Sequence, residues 1–228
     1  MALLSGRKRV IVLPPESWPA LRIFPKAHPS DRSSQLVDDG SMGDLTSERH
    51  RARHVVVQAG DVLFVPEFWH HRVASTQGSL SVNTWSSHGT LGALLEHALP
   101  QMYETPVDRA AMDAAAFAIM KRVLVRAKPV GSRDFVRALI ESQFVPVLLA
   151  APACGDGFAD DAKLDPAVLR VVEERADRAL ERLRSAVSPG VRDMMLLQLL
   201  QHIALWLGGV DGVADVLCCL RDALAGLD

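Results

Sequence analysis

The stretch 58–85 constrains this 228-residue chain more than any other. It reads Gln-Ala-Gly-Asp-Val-Leu-Phe-Val-Pro-Glu-Phe-Trp-His-His-Arg-Val, then a polar turn through Thr76-Gln77-Gly78, then Ser-Leu-Ser-Val-Asn-Thr-Trp. Gly60-Asp61 is a turn signal. Residues 62–65 are a short apolar run of strand type, closed by Pro66, which cannot donate to a sheet ladder. Residues 69–74 and 80–84 read as two further strands. Side chains alternate across a strand, so Trp69, His71 and Val73 share one face while His70 and Arg72 share the other. This places the His71 imidazole among apolar neighbours and predicts that His70 faces solvent beside Arg72.

The composition changes near Thr90. Before it lie β-type runs with most of the prolines and tryptophans; after it the chain is rich in Ala, Leu and Arg. Two units follow, 1–88 and 89–228, and an α+β class. Residues 7–13 form a strand stopped by Pro14-Pro15, and 54–58 form another. The irregular segment 16–44 is long for a compact domain, and such loops are usually functional, so it is read as the substrate-facing segment. In the second unit, Thr105-Pro106 with Asp108 predicts a helix start, running to 127 before Pro129. Gly131 or Ser132 begins the next, through 149. Asp165-Pro166 repeats the cap-plus-proline signal ahead of an apolar stripe of Val168, Val172, Ala176, Ala179, Leu183 and Val187. Arg170, Glu174, Arg178 and Glu181 are its wet side. Residues 191–207 are apolar almost all round; Gly208-Gly209 stops them, and a last helix follows from Asp211. The plain reading is a helical bundle without chemistry, and the functional one is a platform for a homodimer.

Several function classes are disfavoured. A net charge of −2 gives no signal for DNA or an anionic membrane. The most apolar helix candidate, around 194–207, contains Gln198, Gln201 and His202 and is too short and polar for a membrane span. No secretory signal is read at the start, where apolar residues precede basic ones. The three cysteines, Cys154, Cys218 and Cys219, are odd in number with two adjacent, so no disulfide framework is expected. An intracellular setting, cytoplasmic or nuclear, follows. No nucleophile elbow, phosphate-binding glycine loop or zinc-type cysteine pattern occurs.

Three groups of residues could carry chemistry. A lone histidine is more often a satisfied structural residue than a ligand, but His71 sits in an ordered turn-strand-proline-aromatic pattern. Lys8 alternates with Val10 on one face of strand 7–13, opposite Arg7, Arg9 and Ile11. A lysine pointing inward is costly without an anion, and a carboxylate co-substrate could be that anion. Asn83 and Trp85 share a face on the strand after His71 and are placed to support it.

These residues resemble the JmjC family of cupin-type Fe(II)- and 2-oxoglutarate-dependent oxygenases, in the branch that includes factor inhibiting hypoxia-inducible factor. The resemblance runs from about residue 4 to 85. It covers Gly6-Arg-Lys-Arg-Val-Ile-Val-Leu-Pro-Pro, His28-Pro-Ser-Asp-Arg-Ser-Ser, Gly60-Asp-Val-Leu-Phe-Val-Pro, Trp69-His-His and Ser81-Val-Asn-Thr-Trp. It implies a double-stranded β-helix, or jelly roll, present here in part and followed by a helical domain. It implies His71 as the distal iron ligand, with Lys8 and Asn83 binding 2-oxoglutarate or lining its pocket, and a protein or RNA substrate. The family's His-x-Asp/Glu pair has no match: none of the eight histidines is followed two residues later by Asp or Glu. A facial triad needs three protein ligands, so the chain by itself is expected to be inactive. The alternatives are a longer gene product carrying the missing ligands, and a non-catalytic cupin-like binding or dimerisation module.

Overall fold

The computed structural model describes residues 1–26, 28–31, 33–36, 51–86, 92–95, 108–128, 130–148, 152–154 and 164–225. Five strands form among them: β1 (Ala2–Ser5), β2 (Arg7–Leu13), β3 (Arg53–Gln58), β4 (His70–Ser75) and β5 (Leu80–Val82). β2 is the centre of an antiparallel sheet in the order β3-β2-β4, and β1 pairs antiparallel with β5. The β-branched run Val10-Ile11-Val12 suits that central position.

The expected strand at 62–65 does not form. Val62 makes only an isolated bridge to Ala2. The backbone around it is bonded to β1 instead, with Leu3 N donating to Asp61 O (3.0 Å) and Leu63 N to Met1 O (2.8 Å). β1 was not legible as a strand, since four residues carry little periodicity. The β1–β2 turn is held by Gly6, at φ 82°. A side chain there would overlap the Gly78 carbonyl and Ser79, so only glycine lets the two turns lie together.

Register fixes the faces. Lys8 lies opposite Val57 and Ser75, Val10 opposite Val55 and Val73, and Val12 opposite Arg53 and His71. On this face Leu3, Val10 and Val57 bury one another, closed by Met1, Val55 and Leu63, so the small β1–β5 sheet lies over part of the larger one. On the other face Leu13 packs with Leu21 and Leu36. Leu21 belongs to α1 (Trp18–Leu21), a single turn that follows a 3-10 turn at Pro15–Ser17.

The remaining helices of eight residues or more are α2 (Arg109–Ala127), α3 (Ser132–Leu139), α4 (Pro166–Arg184) and α5 (Pro189–Ala223). α2 begins later than its proline signal predicts, because Asp108 is the cap and accepts from Ala110 N (3.4 Å); Thr105 and Pro106 lie outside the described residues. α3 does not run on to 149. It passes into a π-helical turn at Ile140–Phe144 and a 3-10 turn at Val145–Val147, where Pro146 removes a donor. α4 starts as expected, with Asp165 accepting from Ala167 N (2.7 Å) and Pro166 at the first position. Val172, Ala176, Ala179 and Leu183 are buried, but Val187 lies past the helix end and is exposed. Ser188 caps the next helix, accepting from Val191 N (3.2 Å). α5 is broken at Gly209 (φ 64°, ψ −170°), at the expected glycine pair.

The all-round apolar part of α5 is used within the chain. Met195, Leu196, Leu197, Leu199, Leu200, Ile203 and Ala204 are buried in one core with residues of α2, α3 and α4. By length and composition α5 could cross a membrane; half of its most apolar stretch is buried inside this core.

Two expectations are corrected. Segment 16–44 is not irregular throughout, and where it is described it is fastened to the helices. Trp18 is buried in the helical core, edge-on to Phe135 with ring centroids 5.5 Å apart. Lys26 N donates to Gln201 Oε1 (2.7 Å), Gln201 Nε2 to Gln143 Oε1 (3.0 Å), and Gln35 Nε2 to the Gln143 carbonyl (3.2 Å). Gln143 and Gln201 are both buried, so this amide pair satisfies itself while fastening the segment to α5. The cysteines also depart from expectation. Cys154 and Cys219 form a disulfide with Cα atoms 4.6 Å apart, leaving Cys218 as the buried free thiol. Sequence separation hid the pair, because the two lie 65 positions apart.

Candidate functional site

Lys8, His71, Asn83 and Trp85 line one cavity of about 490 Å³. Each arrives by a separate route. Lys8 stands on the central strand, and its Nζ donates to Ser81 Oγ of β5 (2.9 Å). That bond joins the two sheets, but a hydroxyl does not neutralise an ammonium, so the half-buried lysine retains its demand for an anion. His71 stands on β4, four residues along the same face from the position opposite Lys8. Asn83 and Trp85 follow β5 directly, beyond its last paired residue. The Trp85 ring lies 6.4 Å from that of His71, tilted by 41°. Ser81 was not foreseen as part of the site. It alternates with Asn83 in the sequence, and that spacing was the available signal.

The two histidines reverse their expected environments. His71 is exposed, on the open side of β4. His70 lies opposite Leu13, on the face covered by the 14–21 segment. Its ring is bonded to the Pro15 backbone, and its buried Nε2 has no hydrogen-bond partner among the described residues. Desolvation holds its pKa down at about 4, with the nearby His71 as a lesser cause and the Pro15 bond opposing. Alternation places the two on opposite faces correctly. What it cannot read is which face the chain covers.

The loop between the apolar run and β4 is strained. Phe68 has φ 62°, a left-handed conformation rare for a bulky aromatic. Its side chain is partly buried against the helical core, which holds the conformation in place. This loop places Pro66, Glu67 and Trp69 in the wall of the His71 cavity and, on its other side, in the wall of a second cleft.

Among the described residues no three His, Cys, Asp or Glu side chains are grouped to hold a metal ion. Among the described residues that line the His71 cavity, Glu67 is the one carboxylate. The described residues therefore do not fit a complete iron site. Other histidines lie apart from it: His28 stacks on Phe24 (4.3 Å) and His202 bonds the Gln198 carbonyl (2.6 Å). His50, His88 and His97 lie outside the described residues.

Comparison with known proteins follows the same boundary. A family model described as a cupin-like domain matches residues 1–89. The chain is 30% identical over 101 residues to lysine-specific demethylase JMJ31 of Arabidopsis thaliana, covering 42% of this chain and 18% of that protein. It is 27% identical over 82 residues to the 2-oxoglutarate and iron-dependent oxygenase JMJD4 of Danio rerio, covering 36% and 19%. It is 31% identical over 90 residues to tRNA wybutosine-synthesizing protein 5 of Danio rerio, covering 39% and 26%. The chain thus spans about a fifth to a quarter of the length of these relatives. No solved structure matches the chain significantly. Residues 1–89 are a cupin-like segment related to the JmjC oxygenases.

Proposed function

We propose that residues 1–88 form part of a jelly roll and one wall of a JmjC-type, 2-oxoglutarate- and iron-dependent oxygenase site, with residues 89–228 as a helical unit packed against it. The observation that carries this reading is the meeting of Lys8, His71 and Asn83 in one cavity, on three segments of chain. Lys8 supplies the positive charge for the far carboxylate of 2-oxoglutarate, and Ser81 orients its ammonium. Asn83 adds a donor and an acceptor beside it, and the Trp85 ring shields that side from water. His71 stands where the resemblance puts the distal iron ligand. The described residues bring no second and third ligand to it, so the chain by itself is inactive. The substrate class by likeness is protein or RNA, since the relatives include a lysine demethylase and a tRNA-modifying protein.

Co-substrate binding and turnover separate the parts of this reading. Calorimetric titration of the purified chain with 2-oxoglutarate is expected to show binding that Lys8→Ala weakens by at least about tenfold, the value of one charge-assisted contact. Succinate formation with added Fe(II) is expected to stay at background. Turnover abolished by His71→Ala would overturn the inactivity. Binding indifferent to Lys8→Ala would overturn the site, and would favour the reading of a non-catalytic cupin-like module.

A further inference from the structure

A second cleft, of about 430 Å³, lies on the other side of the strained 66–69 loop, between β3 and the start of α5. Its wall carries Arg51 and Arg53, the Trp69 ring, Glu16 and Glu67. The Glu16 carboxylate lies against Gly190 in the first turn of α5, where a Cβ would overlap it. Negative charge is favoured there by the positive end of the helix. Glu67 has an interaction of its own. Arg51 and Arg53 are exposed and make no ion pair among the described residues. Arg51 is held at φ 55°, a left-handed conformation that costs energy for a residue with a side chain.

We propose that this cleft binds a nucleotide unit, with its phosphate between the Arg51 and Arg53 guanidiniums and its base against the Trp69 indole. Guanidinium forks match phosphate oxygens in pairs, and they are more weakly hydrated than ammonium groups, so they give up water readily. An indole offers a flat face on which any base stacks. An acidic peptide would use the two cations and leave the indole without a planar partner. The shared chemistry is a phosphate linked to an aromatic base, whether free or within single-stranded RNA. The proposal goes beyond the oxygenase reading and needs neither iron nor 2-oxoglutarate.

The intact chain is titrated, with neither of those present, with adenosine monophosphate, an adenylate hexamer and polyglutamate. Binding is followed by calorimetry and by quenching of tryptophan fluorescence. The expectation is binding of at least one adenine ligand that weakens as salt rises. Arg51→Ala and Arg53→Ala each weaken it about tenfold, Trp69→Ala abolishes most of the quench, and Trp69→Phe retains binding. Arg170→Ala, on the wet face of α4, changes nothing. Because Arg53 begins β3, Arg53→Lys is the companion variant: it keeps strand and charge but loses the fork, and is expected to bind more weakly than wild type with an unchanged melting curve. A hexamer bound much more tightly than the monophosphate identifies a strand, and equal affinities identify a free nucleotide. The proposal is overturned by no binding of either adenine ligand, by polyglutamate binding as tightly, or by arginine variants that bind like wild type.

Discussion

His70 is the side chain whose surroundings have the clearest consequence. Its ring is desolvated, and its pKa falls to about 4 in the folded chain from an ordinary 6.5. The unfolded chain therefore binds a proton more readily, and the neutral ring favours folding above the unfolded value. That contribution is lost as pH falls from about 6.5 towards 4, by an amount of at most roughly 3 kcal/mol. Urea unfolding at pH 7.5 and pH 5 is expected to show this loss in the wild type and a smaller one in His70→Phe. An equal acid loss in both would place the titration elsewhere. The neighbouring His71 is exposed on the opposite face. Two adjacent identical residues thus differ because of what covers each face of one strand. The alternation was readable in the sequence. The cover was not, because it comes from Pro14, Pro15 and Leu21, residues that lie nearly fifty positions or more away along the chain.

At the scale of elements, the start of α5 is the most testable junction. Gly190 leaves room for the Glu16 carboxylate, and Gly190→Ala would push that side chain off the helix end. The expected cost is about 1 kcal/mol, from the lost charge–dipole interaction. In a Glu16→Ala background the same substitution should cost nothing or stabilise slightly, since alanine is the better helix former. Thermal melts of the four variants give the cycle, and equal costs in both backgrounds would show that the two residues do not interact. The elements themselves were legible to different degrees. The start of α4, the strand Arg7–Leu13 and the glycine break in α5 stand where proline, alternation and glycine put them. The run 62–65 was misread because a strand needs neighbours on its edges, and Val62 finds only the short β1. Of the site, the meeting of Lys8, His71 and Asn83 was implied by the family resemblance, since face assignments alone do not say which strands pair. The Lys8–Ser81 bond required knowing that the two sheets overlap.

For the molecule as a whole, the links between parts distant in sequence matter most. The Cys154–Cys219 disulfide ties residues 152–154 to α5 across 65 residues of chain, and Ala153 N also donates to Asp215 Oδ1 (2.9 Å). Closing a loop of that length typically adds about 2–4 kcal/mol. Reduction or Cys154→Ser is expected to lower the unfolding midpoint by several degrees, whereas reduction after Cys154→Ser should change nothing further. Trp18 is the deeper link. Its indole belongs to the core of the helices, although it precedes them by some ninety residues. The composition boundary near residue 89 is therefore a poor place to cut. A recombinant fragment beginning there would carry all four long helices and still lack a ring-sized piece of its own interior. Such a fragment is expected to be expanded and dye-binding until a peptide spanning residues 14–36 is added back, which makes that peptide a reagent for testing where one folding unit ends and the next begins.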